Sequence, residues 1–157
     1  MAKSKLNIFR THEYVLGCDR KPGTSMEDRE FIDGFSLFVL KPLTHRAHAK
    51  LTALYDLRSG EAGRLAQIAD MVTLYLVECI KDVRDYIVLT PIKDEKGEHK
   101  KDEAGQVLVE EKPLVWSENL PEIEREKLLS LIAHEHKVEL FYKAFAINSF
   151  AEDAQKN

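Results

Sequence analysis

The chain has 157 residues, 44% of them hydrophobic and 32% charged, the size and composition of one globular domain whose core needs neither disulfides nor a structural metal. Lys plus Arg number 23 against 27 Asp plus Glu, a formal charge of −4, which argues against a protein built mainly to hold nucleic-acid phosphates. Seven glycines and five prolines are too few for a fibrous repeat or a disordered chain.

The opening stretch from Met1 to Arg10 carries positive charges with no apolar run behind them, so no secretory leader is expected there. The longest apolar stretches, Phe35 to Leu40 and Met71 to Val77, fall well short of the roughly 20 residues that span a bilayer. Cys18 and Cys79 form no C-x-x-C arrangement and read as reduced thiols of a cytoplasmic protein. Cys79 lies on an apolar helical face and is expected in the core.

Residues 1–27 read as a loosely held N-terminal arm, with Tyr14-Val15-Leu16 as a short strand and Pro22, Gly23 and Ser25 as loop signals. Residues 28–150 form the expected single domain, and 151–157 a polar tail. Arg29 to Ile32, then Asp33-Gly34, then Phe35 to Leu40 predict a β-hairpin with a type I′ turn. Its second strand is apolar on both faces, which calls for cover on both sides or pairing with another chain. Thr44 is a credible N-cap for a helix from about His45 to Leu57, with Leu51, Leu54 and Tyr55 as its apolar side. Ser59-Gly60 opens a longer helix. On it Leu65, Ile68, Ala69, Val72, Leu76, Cys79, Ile80 and Val83 recur at helical spacing, and Met71 and Leu74 lie on the far side. A helix apolar on two sides is normally central. Tyr86 to Leu89 turns β-branched, and Pro91 biases Thr90 towards an extended conformation.

From 93 to 112 more than half of the residues are charged, with Gly97 and Gly105 as hinges. This predicts a solvated loop or the tip of a long hairpin, with Val107-Leu108-Val109 returning as a strand. Pro121 suits the first turn of a helix whose positive end is served by Glu122, Glu124 and Glu126. Leu128, Leu129 and Ile132 are expected to face inward. Lys137 to Phe150 continues as a last helix or as an extension of that one, with Val138, Phe141, Tyr142 and Phe145 on one face and Leu140 and Ile147 outside it. The expectation is an α+β fold: a helix-dominated single domain with an N-terminal β-hairpin.

No catalytic or metal-binding residue set and no cofactor site is expected. His134 and His136, two apart on a helix, point to opposite sides, and His134-Glu135-His136-Lys137-Val138 departs from H-E-x-x-H at its last position. His45 and His48 share a face and would need a third ligand from elsewhere. The chain has no G-x-G-x-x-G, no P-loop and no G-x-S-x-G elbow. The basic patch of His45, Arg46, His48 and Lys50 lacks the interleaved aromatics of a single-strand platform.

The order of features resembles the phage tail assembly chaperones of long-tailed phages and prophages. The likeness is carried by Ile32 to Leu40 running into Lys41-Pro42-Leu43-Thr44, and by Trp116-Ser117-Glu118-Asn119-Leu120 ahead of the leucine-rich Glu126 to Ile132. It covers about residues 28–150, with segment 93–112 longer than the family pattern. The resemblance implies a small, non-enzymatic protein of the host cytoplasm. Such a protein coats the tape-measure protein and recruits tail-tube subunits, and it touches neither nucleic acid nor membrane. Leu140 and Ile147, off the inward stripe, are the expected partner-binding residues, with Leu37 and Phe38 adding an edge contact; a homo-oligomer is compatible with this. The alternatives are an unrelated interaction protein, such as a secretion-type chaperone or a regulator, and a small enzyme using a metal held by histidines.

Overall fold

The computed structural model describes residues 10–57 and 64–156. The first nine residues of the expected arm and the Ser59-Gly60 opening lie outside the described residues, as do the side chains of Leu54, Tyr55, Leu65, Ile68 and Ala69. The elements run β1 (His12–Val15), β2 (Leu37–Leu40), α1 (His45–Leu57), α2 (Arg64–Cys79), β3 (Ile80–Arg84), β4 (Ile87–Pro91), β5 (Val109–Pro113), α3 (Glu122–Ser130) and α4 (His134–Lys156). Helices and two small antiparallel sheets make this an α+β fold.

The first sheet has the order β1-β2-β3, with Tyr14 opposite Phe38, which in turn faces Val83. An N-terminal antiparallel pair is therefore present, and its second strand is where the apolar run places it. Its partner differs from the expected one. Residues 29–32 make only a single bridge, Phe31 to Arg20, and Ile32 stays exposed. Gly34 alone takes a left-handed φ, 76°, so Asp33-Gly34 turns the chain without the two left-handed positions of a type I′ turn. Strand β1 wins because Tyr14 and Val15, with Leu16 just beyond, bury fully on pairing, which Phe31 and Ile32 do not. Tyr14, Val15 and Leu16 of the expected arm thus belong to the core, and β1 is held in the sheet rather than hanging loosely. The excursion between β1 and β2 is stapled by Asp19, whose carboxylate accepts the Ser36 N–H (2.9 Å) and whose carbonyl accepts the Ile32 N–H (2.9 Å).

Strand β2 is the central strand, and Phe38, Val39 and Leu40 are all buried, which accounts for a run apolar on both faces. After it, the Thr44 hydroxyl accepts the Ala47 N–H at 3.1 Å and caps α1 as expected. Helix α2 packs against α1, α3 and α4, the central position that its two apolar sides require. It ends at Cys79, earlier than the helical spacing suggests. Ile80 and Val83 are buried from a strand that pairs with β2 across a bulge between Val39 and Leu40. A three-residue spacing of β-branched side chains fits one helical face and a bulged strand equally well. Beyond β3, Asp85 at φ 59° turns the chain into the second sheet.

That sheet is a two-stranded ribbon, Ile87 opposite Pro113 through Pro91 opposite Val109. Its base joins the core through Tyr86 and Leu114. Trp116 follows, buried, its indole N–H donating to the Ile80 carbonyl at 3.1 Å. Helix α3 starts after Pro121 with Glu122 and Glu124 in its first turn, and Leu129 and Ile132 face inward as expected. Helix α4 begins afresh at His134, and its backbone continues through the expected polar tail to Lys156.

Candidate partner-binding surfaces

Helix α4 is clamped along its inner side by polar contacts that set which face looks out. At its start, the Tyr86 oxygen accepts the Ala133 N–H (3.1 Å) and lies 2.9 Å from His136 Nδ1. One turn on, Glu139 Oε1 accepts both the Tyr14 hydroxyl and the Gly17 N–H at 2.7 Å, with the Arg20 guanidinium 3.6 Å away. Burial, then this contact with Glu139, pushes the Tyr14 phenol up to about 12. Further along, the Asn148 amide oxygen accepts the Leu43 N–H at 2.7 Å, holding α4 beside the entry to α1.

Between these clamps the inward row is Leu140, Ala144 and Ile147, all buried. This corrects the expectation that Leu140 and Ile147 are partner-binding residues: Leu140 is 0% exposed and belongs to the monomer core. Tyr142, at 68%, and Phe145, at 55%, look outward instead. Phe141 is half-buried, its ring edge-on to Tyr75 at 5.3 Å. The helix has two apolar sides, and the helical spacing alone favours the bulkier aromatic one. The small Ala144, which lets the core approach closely, is the signal it passed over. Leu37 and Phe38 are corrected too. Both stand on the central strand, and Phe38 is fully buried, edge-on to Tyr86 at 5.6 Å.

Cysteine and histidine chemistry has one meeting point. Cys18 Sγ lies 3.7 Å from His136 Nε2 and 3.8 Å from Asp19 Oδ1. Burial, followed by the Asp19 and Glu139 carboxylates, pushes the thiol up, opposite to the shift that makes a nucleophilic thiolate. Cys79 is buried as expected, and burial pushes its thiol up to about 12. Histidines 45, 48 and 134 are exposed. Among the described residues no group of three or more His, Cys, Asp or Glu side chains is arranged to hold a metal ion. Nor is any helix of the described residues long and apolar enough to cross a membrane.

Segment 93–112 is an ordered arm end, the hairpin-tip alternative of the two expectations. Lys93-Asp94-Glu95-Lys96-Gly97 recurs eight residues later as Lys101-Asp102-Glu103-Ala104-Gly105. Each copy folds the same way. Asp94 Oδ1 accepts the N–H groups of Lys96 and Glu98, and Asp102 Oδ1 those of Ala104 and Gln106, all at 2.9 Å. Gly97 and Gly105 take left-handed φ values of 80° and 82°. Between the turns the backbone closes a ring: Ile92 N–H donates to Leu108 O (2.9 Å), Leu108 N–H to Lys100 O and Lys100 N–H to Ile92 O (both 2.8 Å).

No family model, curated protein or solved structure matches the chain.

Proposed function

We propose that the chain is a helix-dominated, non-enzymatic binding protein of the phage tail assembly chaperone kind. It works in the host cytoplasm, holding the tape-measure protein and recruiting tail-tube subunits. The observation that carries this reading is the outward face of α4, where Tyr142 and Phe145 present aromatic surface from a helix fixed at three points on its other side. Solvent-facing aromatics on a rigid helix suit capture of an elongated helical client, because they add contact area at little cost in side-chain entropy. The sequence likeness around Ile32 to Thr44 and Trp116 to Ile132 supplies the class of client.

The test is co-expression with a tape-measure protein and a tail-tube subunit, followed by co-purification. The wild-type chain is expected to retain the tape-measure protein. The double change Tyr142→Ser and Phe145→Ser is expected to lose it while the far-ultraviolet circular dichroism stays that of the folded chain, with a modest fall in thermal midpoint because Phe145 also packs on Tyr75 and Phe141. A wild-type chain that retains neither client refutes the reading.

A further inference from the structure

The β4–β5 ribbon carries a second surface, independent of α4. One of its faces is anchored: Tyr86 and Leu114 are buried and Val88 packs on the core. The other face bears Ile87 opposite Pro113, Leu89 opposite Glu111 and Pro91 opposite Val109, with Val115 continuing the row past the base. Every one of these residues is exposed, Leu89 at 62% and Val115 at 74%.

We propose that this face is an interface with the same face of a second copy of the chain, in a two-fold dimer whose ribbons lie face to face and run in opposite directions. The residue order fits that occupant. Reversal about the Leu89–Glu111 pair lays Ile87 on Pro91 and Pro113 on Val109, and it carries Val115 towards Val107, so apolar meets apolar on both strands. It also brings the base, with exposed Asp85, towards exposed Lys93 at the far end, and neither has an ion-pair partner among the described residues. A partner of unrelated sequence requires no such symmetry of the row, whereas an isologous dimer does.

The exposed apolar area is on the order of 500 Å², the size of the largest patches on monomers. With its polar rim the face approaches the roughly 800 Å² per partner of a standard interface from below, which points to a reversible dimer. One discord limits it further: Glu111 stands at the centre and meets its own copy. Like charges in apposition weaken association, so the carboxylate holds the dimer below the strength its apolar row allows.

Sedimentation equilibrium of the full chain over a wide concentration range tests this. A monomer–dimer equilibrium is expected. Leu89→Glu, which adds a carboxylate beside Glu111, should weaken it roughly a hundredfold, as charging of a central contact does. Glu111→Gln should tighten it about tenfold by removing the like-charge contact. In a Cys18→Ser background, Glu111→Cys should crosslink to itself through a short bismaleimide, and Lys101→Cys at the tip should not. Tyr142→Ser should leave the dimer unchanged, which separates this interface from client capture. A chain monomeric at every concentration overturns the proposal, as does a dimer indifferent to Leu89→Glu or one weakened by Glu111→Gln.

Discussion

Truncating Leu140 to alanine separates the two faces of α4 most directly. The side chain is fully buried, and Ala144, one turn along the same row, is buried as well and too small to move into the space left behind. Leucine-to-alanine changes in cores cost about 2–5 kcal/mol, rising with the cavity that remains. With a small neighbour and a helix clamped at Glu139 and Asn148, relaxation is limited, and a loss of about 3–4 kcal/mol is expected. For a chain of this length that lowers the thermal midpoint by roughly 10 °C. Tyr142→Ala, two positions on, removes a ring that is mostly in water and should stay within about 0.5 kcal/mol of the parent. Urea titrations of the three proteins, followed by far-ultraviolet circular dichroism, give both numbers. If Leu140→Ala falls within about 1 kcal/mol of the parent and Tyr142→Ala costs more, the inward face has been assigned the wrong way round.

Three further outcomes are expected. The Tyr14 phenol, raised by burial and by Glu139, favours the neutral form in the fold. Its contribution is fully present below pH about 10 and lost as pH rises towards about 12. Cys79, pushed the same way, adds to the alkaline decline, so urea midpoints of Tyr14→Phe should fall less steeply over this range than those of the parent; an identical slope counts against the Glu139 contact. Of the two free thiols, exposed Cys18 should react with an aromatic disulfide reagent in the native protein, and buried Cys79 only after unfolding; two fast-reacting thiols would contradict the packing of α2 against α4. Deleting residues 101–108 removes one turn motif and lets Lys100 take the place of Leu108 opposite Ile92, converting the ring to a plain hairpin end. The urea midpoint should barely move, and a large loss would mean the ring supports the core.

The parts of this fold that could be read from the sequence are those where one physical signal acts alone. Thr44 caps α1 because its hydroxyl sits just ahead of the first turn, and Pro91 marks an extended segment because its ring forbids the alternative. Competition between two signals is where the reading failed. Asp33-Gly34 announces a local hairpin, but β2 finds a better partner more distant in the chain because Tyr14 and Val15 bury more apolar surface. Ile80 and Val83 satisfy both helix and bulged-strand spacing, and pairing with β2 decides between them. On α4 the row Leu140, Ala144, Ile147 and the row Phe141, Tyr142, Phe145 are both apolar, so periodicity alone does not choose between them; the clamps from Tyr14, Tyr86 and Leu43 come from distant segments that a single helix does not reveal. The repeat at 93–105 was in plain view, but its eight-residue period is shorter than those that mark solenoids.

An arm of two strands ordinarily offers its whole length as a template for a stray chain, since each outer side presents unpaired amides and carbonyls. The ring where this ribbon ends removes that hazard at its own three residues. At Ile92, Lys100 and Leu108 each peptide spends its N–H on one neighbour and its C=O on the other, so three segments share three bonds and none has a side left over. At these three residues the end of the ribbon is closed on itself and offers no unpaired backbone edge to another strand. Association is directed back along the ribbon to its face, where side chains rather than backbone choose the partner.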